Sequence, residues 1–284
     1  MGVGVNLACV GISAATFCND FILAADAQKN IFRTGGNIIF LFCVLVYAVN
    51  FGRGCDFLRA MKMLQVKNLC ISYGEKEIVH NINFSVAQGK IFVIVGQSGL
   101  GKSTILKAVA GILGAGKITG GQIFFNGREI TNLQGEERRK LAGAGIGYIF
   151  QNATASFCPV RTIGAQIYES VQAHKNWSRA EFLSRAKNIM QNINLEEKVL
   201  DEYPFRLSGG MGQRAGILAA MILEPQILLA DEPTSALDPE TQASVIEEFL
   251  NLRERYGVSI VMVTHNLQVA NYIADEIFKL EERL

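Results

Sequence analysis

Eight residues constrain the fold of this chain more than any others: Gly96-Gln97-Ser98-Gly99-Leu100-Gly101-Lys102-Ser103. They follow the apolar stretch Ile91–Val95, and Thr104 opens a helix-compatible run. A buried strand feeding a glycine-rich loop into a helix requires an α/β layering, with the loop at the end of the strand. The glycines let backbone N–H groups turn inward around an anion, and the helix N-terminus adds positive potential. Lys102 then reaches the β- and γ-phosphates of a nucleoside triphosphate, and the Ser103 hydroxyl joins a Mg²⁺ shell. Gly96, Gln97, Ser98, Gly99, Gly101 and Thr104 supply the rest of the cradle.

Two further apolar runs end in groups that such a loop can use. Residues 227–230 lead into Asp231-Glu232, and residues 260–263 lead towards His265. Phosphoryl transfer to water needs charge neutralisation and an oriented nucleophile more than covalent help. Asp231 at a strand end can hold Mg²⁺ directly or through water. Glu232 beside it can orient or deprotonate the attacking water. A parallel sheet brings His265 out on the same edge, where it can donate to the γ-phosphate. Taken alone, Asp-Glu after an apolar run reads as readily as a helix N-cap and a first-turn acid. A lone histidine is more often structural. The phosphate loop upstream decides for catalysis.

With Leu207-Ser208-Gly209-Gly210-Met211-Gly212-Gln213-Arg214 added, residues 63–280 resemble the ATP-binding-cassette (ABC) ATPases, a branch of the P-loop NTPases. That resemblance implies a parallel core sheet, an antiparallel β subdomain and a helical subdomain over residues 152–207, with ATP and Mg²⁺ as cofactors. Tyr73 would stack on adenine. Gln151, in Tyr148-Ile149-Phe150-Gln151, would contact Mg²⁺ and the attacking water, completing a catalytic set with Glu232 and His265 and a metal set with Ser103 and Asp231. Ser208, Gly209 and Gly210 would contact the γ-phosphate of ATP on the opposite subunit. Asp238, in Ser235-Ala236-Leu237-Asp238, matches the D-loop. In isolation Tyr73 is a half-buried strand aromatic, Gln151 a strand-end amide and Asp238 a turn residue before Pro239. No internal repeat is visible, so one cassette needs a second ATPase subunit, a copy or a sister.

The coarse pattern suits that fold. Residues 64–73 and 78–86 read as strands joined by a turn at Gly74-Glu75-Lys76, and Gln88-Gly89-Lys90 is a further break. Gly120-Gly121 punctuates the entry to a strand at 122–126, and Asn126-Gly127 is a turn. Residues 162–199 are helix-rich. Residues 240–256 read as a helix, 258–263 as a strand and 267–274 as another helix.

The first 60 residues differ, holding four of the six cysteines but only seven of the 53 Asp, Glu, Lys and Arg residues. Residues 38–51 are an uncharged apolar run of 14, extending to 34–52 with small and neutral flanks, between Arg33 and Arg53. A membrane-spanning helix needs about 20. The stretch 3–17 lacks the basic lead of a secretory signal. Residues 1–62 are therefore expected to form an apolar helical segment: a genuine fusion, a membrane anchor with one transmembrane helix, or a buried helix from a reading-frame artefact. Residues 41–61 loosely resemble the last transmembrane helix and tail of peptide- and nickel-type ABC permeases. The ATPase domain is expected over 63–284. The formal net charge of +1 excludes a strongly basic nucleic-acid binder. The cysteines show no CxxC pair.

Residues 150–160, Phe-Gln-Asn-Ala-Thr-Ala-Ser-Phe-Cys-Pro-Val, resemble the matching segment in ATPases of dipeptide, oligopeptide and nickel importers, and Met211 after Ser-Gly-Gly is similar. Ala153 and Cys158 stand where that group often carries Pro and Asn, and Gly212 lacks a side chain. The chain stops at Leu284, short of the last strands and the cysteine-bearing extension the resemblance implies. The expected function is the ATP-hydrolysing subunit of an importer of peptides or nickel. It would sit on the cytoplasmic face of the membrane, with permease subunits and an extracytoplasmic solute-binding protein as partners. A soluble ABC ATPase acting on ribosomes or DNA is the alternative, weakened by the single cassette. An inactive remnant is a third, weakened by intact Lys102, Asp231, Glu232 and His265.

Overall fold

The computed structural model describes residues 62–281. The apolar segment expected over residues 1–62, with its transmembrane and permease-tail readings, lies outside the described residues except for Lys62. Among the described residues no helix is long and apolar enough to cross a membrane.

The chain runs β1 (Lys62–Tyr73), β2 (Lys76–Ala87), β3 (Ile91–Val95), α1 (Lys102–Ala110), β4 (Lys117–Phe125), β5 (Arg128–Glu129), α2 (Gly135–Leu141) and β6 (Ile146–Ile149). Then come α3 (Ile163–Gln172), α4 (Arg179–Asn192), α5 (Gly209–Met221), β7 (Ile227–Asp231), α6 (Pro239–Tyr256), β8 (Ser259–Thr264), α7 (Leu267–Ile273) and β9 (Glu276–Lys279). Short 3₁₀ turns occupy Thr154–Ser156, Glu197–Asp201 and Pro204–Arg206. The strands form two sheets: β2-β1-β4-β5, antiparallel, and β6-β7-β8-β3-β9, parallel.

The three inner strands β7, β8 and β3 are buried at every residue, so their sequences are apolar runs rather than alternations. Their alternate side chains still divide between two cores. Ile91, Val93 and Val95 of β3 join Leu228, Ala230, Ile260 and Met262 in the core under the helices α3 to α7. Phe92 and Ile94 join Leu229, Val261 and Val263 against α1 and the antiparallel sheet. The parallel sheet is thus the middle layer.

One expectation changes, the helix-rich stretch is borne out and divided, and two elements are added. Gly120-Gly121 does not precede a strand but lies inside β4. The register of β1 shifts between Lys67 and Cys70, and the two strands approach so closely that a Cβ on Gly121 would lie 2.4 Å from the carbonyl oxygens of Lys67 and Asn68. Gly121 also has φ +85, so the glycine is the price of a bulge rather than a strand boundary. The stretch 162–199 is two helices, because Ser178 accepts from the Glu181 amide and starts α4 afresh. The strand β9 and the helix α2 have no counterpart in the sequence reading; β9 is a charged edge strand without apolar alternation.

The departures at Ala153 and Gly212 have a packing reason. A Cβ on Gly212 would lie 1.8 Å from Thr154 Oγ1, and one on Gly216 would lie 2.4 Å from Ala153 Cβ. Helix α5 therefore presses two glycines, one turn apart, onto the 3₁₀ turn that follows β6. We expect Gly216→Val to lower unfolding stability by about 1–3 kcal/mol through overpacking. Ala153→Gly should recover part of that loss in urea titrations of the double variant.

Candidate active site

Parallel pairing delivers the chemistry to one edge. Val95 lies opposite Thr264, and Asp231 opposite Val263. The residues that follow these strands are the phosphate loop, Glu232 and His265. Strand β6 pairs with β7 up to Ile149 and Ala230, which puts Gln151 on the same edge, in an exposed turn.

The loop ends at Gly101, which caps α1 in the left-handed conformation at φ +87. A Cβ there would lie 2.9 Å from Val79 Cγ2 and 3.0 Å from Ile78 Cγ2 of β2, so both conformation and space demand glycine. Lys102 is only 4% exposed, and its Nζ donates to the carbonyls of Gly96 at 2.8 Å and Gln97 at 2.7 Å. The same nitrogen is 3.8 Å from Glu232 Oε1. The ammonium is thus held inside the loop by acceptors that an incoming phosphate can replace.

Two strings of polar contacts cross the edge, the first an ion pair and a hydrogen bond, the second two hydrogen bonds. In the first, Glu232 lies between Lys102 and His265, with His265 Nδ1 3.0 Å from Glu232 Oε2. Glu232 is itself in the left-handed region at φ +45, uncommon for a residue with a Cβ. Its N–H donates to Val263 O, and its carbonyl accepts from the Ser235 N–H and hydroxyl. These three bonds hold a conformation that costs about 1–3 kcal/mol. His265 is fixed between the end of β8 and Asn266, whose side chain caps α7 through the amides of Gln268 and Val269.

In the second string, Ser103 Oγ donates to Asp231 Oδ1 at 2.6 Å and Tyr148 Oη donates to Asp231 Oδ2 at 3.1 Å. Burial, reinforced by the Asp231 charge, pushes the Tyr148 phenol well above its ordinary range, so it remains a donor. Asp231 is 4% exposed, a buried carboxylate with both oxygens satisfied. Tyr148 was named in the sequence only as a neighbour of Gln151. An aromatic hydroxyl in the strand paired with β7 was the signal that could have found it.

Tyr73 is half-buried at the end of β1, its ring against Gly116 and its hydroxyl donating to Leu113 O at 3.4 Å. Ser208 caps α5 by accepting from the Met211 amide. Gly209 and Gly210 pack beside the D-loop segment: their added Cβ atoms would lie 3.7 Å from Leu237 Cδ2 and 2.7 Å from Thr241 Cγ2. Asp238 caps α6, and the Thr241 backbone and side chain hold its carboxyl below the usual range. Arg214 ties α5 to α6 through Glu248 at 2.8 Å and Ser244 at 2.9 Å. Among the described residues no hydrogen bond joins Ser208, Gly209 or Gly210 to the phosphate loop of the same chain. The structure therefore brings together the loop, Asp231, Glu232 and His265, and keeps the signature with the D-loop.

Residues 79–235 match the ABC transporter family. The chain is 37% identical over 225 residues to the oligopeptide transport ATP-binding protein OppD of Escherichia coli (strain K12), covering 77% of this chain and 67% of that protein. It is 35% identical over 224 residues to the dipeptide transport ATP-binding protein DppD of Bacillus subtilis (strain 168), covering 76% and 67%. Against the metal-staphylopine import system ATP-binding protein CntD of Staphylococcus aureus (strain Mu50 / ATCC 700699), identity is 33% over 221 residues, covering 76% and 82%. Among solved structures, the ATP-binding cassette MJ0796, dimeric and bound to ADP and Pi, superposes with a TM-score of 0.69 at 31% identity. That match covers 77% of this chain and 94% of that one.

Replacing Lys102 by Ala should weaken binding of a fluorescent ATP analogue by about 10–100-fold, the worth of a charge-assisted hydrogen bond. Unchanged affinity would mean that Lys102 keeps its carbonyl partners when nucleotide binds.

Proposed function

The chain belongs to the ABC transporter family and is an ABC-type ATPase, and from that premise we propose that it energises the import of short peptides. The observation that carries this reading is the 35–37% identity to dipeptide and oligopeptide transport ATPases over three quarters of the chain. Identity to the metal-staphylopine ATPase favours one second reading, import of nickel or a related metal.

Mg²⁺ fits the donor set. It prefers hard oxygen ligands, with one or two carboxylates beside phosphates and waters. Ser103 Oγ and Asp231 Oδ1, 2.6 Å apart, offer a hydroxyl and a buried carboxylate at the base of the loop. Ser103 and Asp231 would hold the ion, with Gln151 reaching it from the next strand end. Bound there, Mg²⁺ would neutralise charge on the β- and γ-phosphates.

In our reading, Lys102 exchanges its two carbonyl partners for phosphate oxygens, and the loop amides cradle the same anion. Tyr73 offers its ring to adenine. Glu232 takes the proton of the attacking water, its carboxylate aimed by the left-handed turn. Glu232 and His265 already contact each other, so loss of the γ-phosphate beside His265 would be felt at the base. Gln151 orients the water from the opposite side. Ser208, Gly209 and Gly210 would complete the site of a second ATPase subunit. Their packing against Leu237 and Thr241 moves the D-loop and Asp238 with them.

Between the Gln151 turn and the turn at Pro204–Arg206 lies a groove of about 410 Å³, lined by Asn152, Phe157, Pro159 and Phe205 among others. Phe150, Val160 and Phe205 are exposed around it. This is where a cytoplasmic helix of the permease would dock, placing the subunit on the inner face of the membrane. An extracytoplasmic solute-binding protein would deliver the substrate.

Uptake of a labelled dipeptide and of radiolabelled nickel, in cells lacking the chain and in complemented cells, tests the assignment. Selective loss and rescue of dipeptide uptake supports it; selective loss of nickel uptake supports the second reading, and loss of neither removes both. In the purified protein, Glu232→Gln should cut ATP turnover by about 10²–10⁴-fold while leaving ATP binding intact. Equal turnover would remove Glu232 as the base.

A further inference from the structure

Asp231 receives two hydroxyl donors from different parts of the fold. Ser103, on α1, takes Oδ1, and Tyr148, on β6, takes Oδ2 at 3.1 Å. We propose that Tyr148 is a positioning residue for the metal-binding carboxylate, fixing the plane of Asp231 so that Oδ1 and Ser103 Oγ face the cation together. This rests on the reading that Asp231 holds Mg²⁺.

Three features support the role. First, the hydroxyl is placed by the sheet rather than by a flexible stem. Tyr148 lies opposite Leu229 in the β6–β7 ladder, two residues before Asp231. Second, the ring is braced: its centroid is 4.7 Å from that of Phe150 at an interplanar angle of 55°, within the range of favourable tilted aromatic pairs. Third, the bond has no competing function. Among the described residues, Tyr148 Oη makes no other hydrogen bond, and Asp231 Oδ2 accepts from no other side chain.

Without this donor, the one side-chain hydrogen bond left to the Asp231 carboxylate among the described residues would come from Ser103, the group that must also face the cation. A hydrogen-bond partner behind a metal ligand sets its orientation, and its loss typically weakens metal affinity by about 10–100-fold. Tyr148 acts through Asp231 and touches neither substrate nor the reacting atoms.

Tyr148→Phe keeps the ring and its packing and removes only the hydroxyl. The test measures binding of a fluorescent, nonhydrolysable ATP analogue, first in EDTA and then across a Mg²⁺ titration. We expect affinity in EDTA to match the unaltered protein, and the Mg²⁺ midpoint to rise by about tenfold. An unchanged midpoint in Tyr148→Phe overturns the proposal, as does an equal loss of affinity in EDTA, the mark of a general packing role. Asp231→Asn in the same titration separates the two levels. If it shifts the midpoint and Tyr148→Phe does not, the positioning role fails alone. If neither shifts it, the assignment of Asp231 to the cation fails as well.

Discussion

The parallel register of β7, β8 and β3 is what the site depends on. Three buried strands end level with one another, and each delivers its next residues to the same edge: Glu232, His265 and the phosphate loop. Burial on both faces makes this register hard to slip, because a shift of one residue would exchange every side chain between the two cores. The apolar residues that carry no chemistry therefore set the distances between those that do. Lys102, Glu232 and His265 form a continuous polar string only because Val95, Val263 and Ala230 stop where they do.

Most of the site was legible because its determinants are local. The phosphate loop is eight consecutive residues after a recognisable strand, and the acid pair and histidine each follow an apolar run. What stayed hidden was conformational or long-range. Nothing about Glu232 as a residue type announces φ +45; that turn is imposed by bonds to Val263 and Ser235. The Tyr148–Asp231 bond joins residues 83 positions apart and follows from strand order, which a single sequence does not display. Helix α5 carries Gly212 and Gly216 at the spacing of one face, yet their partners Ala153 and Thr154 emerge only with the fold. At the edges, Lys62 and Lys76 extend β1 and β2 through backbone pairing that hydrophobic patterning does not register.

The site is also unevenly shared out within the chain. The half built on the glycine-rich loop is satisfied internally, with Lys102 and both oxygens of Asp231 hydrogen-bonded. The signature lies at the start of α5, which is tied to α6 by Arg214 and Glu248. Burial pushes the Glu248 carboxyl above its ordinary value, opposed by the Arg214 hydrogen bond. This clamp and the contact of Gly210 with Thr241 join the start of α5 to the start of α6, which Asp238 caps.

The most direct measurement of the central claim is a structure of the protein with Mg²⁺ and a nonhydrolysable ATP analogue. The account requires Lys102 Nζ to have left the Gly96 and Gln97 carbonyls for the phosphates. It also requires Mg²⁺ on Ser103 and Asp231, and Glu232 facing the γ-phosphate. A nucleotide bound with Lys102 still on those carbonyls, or with Mg²⁺ away from Asp231, would contradict it.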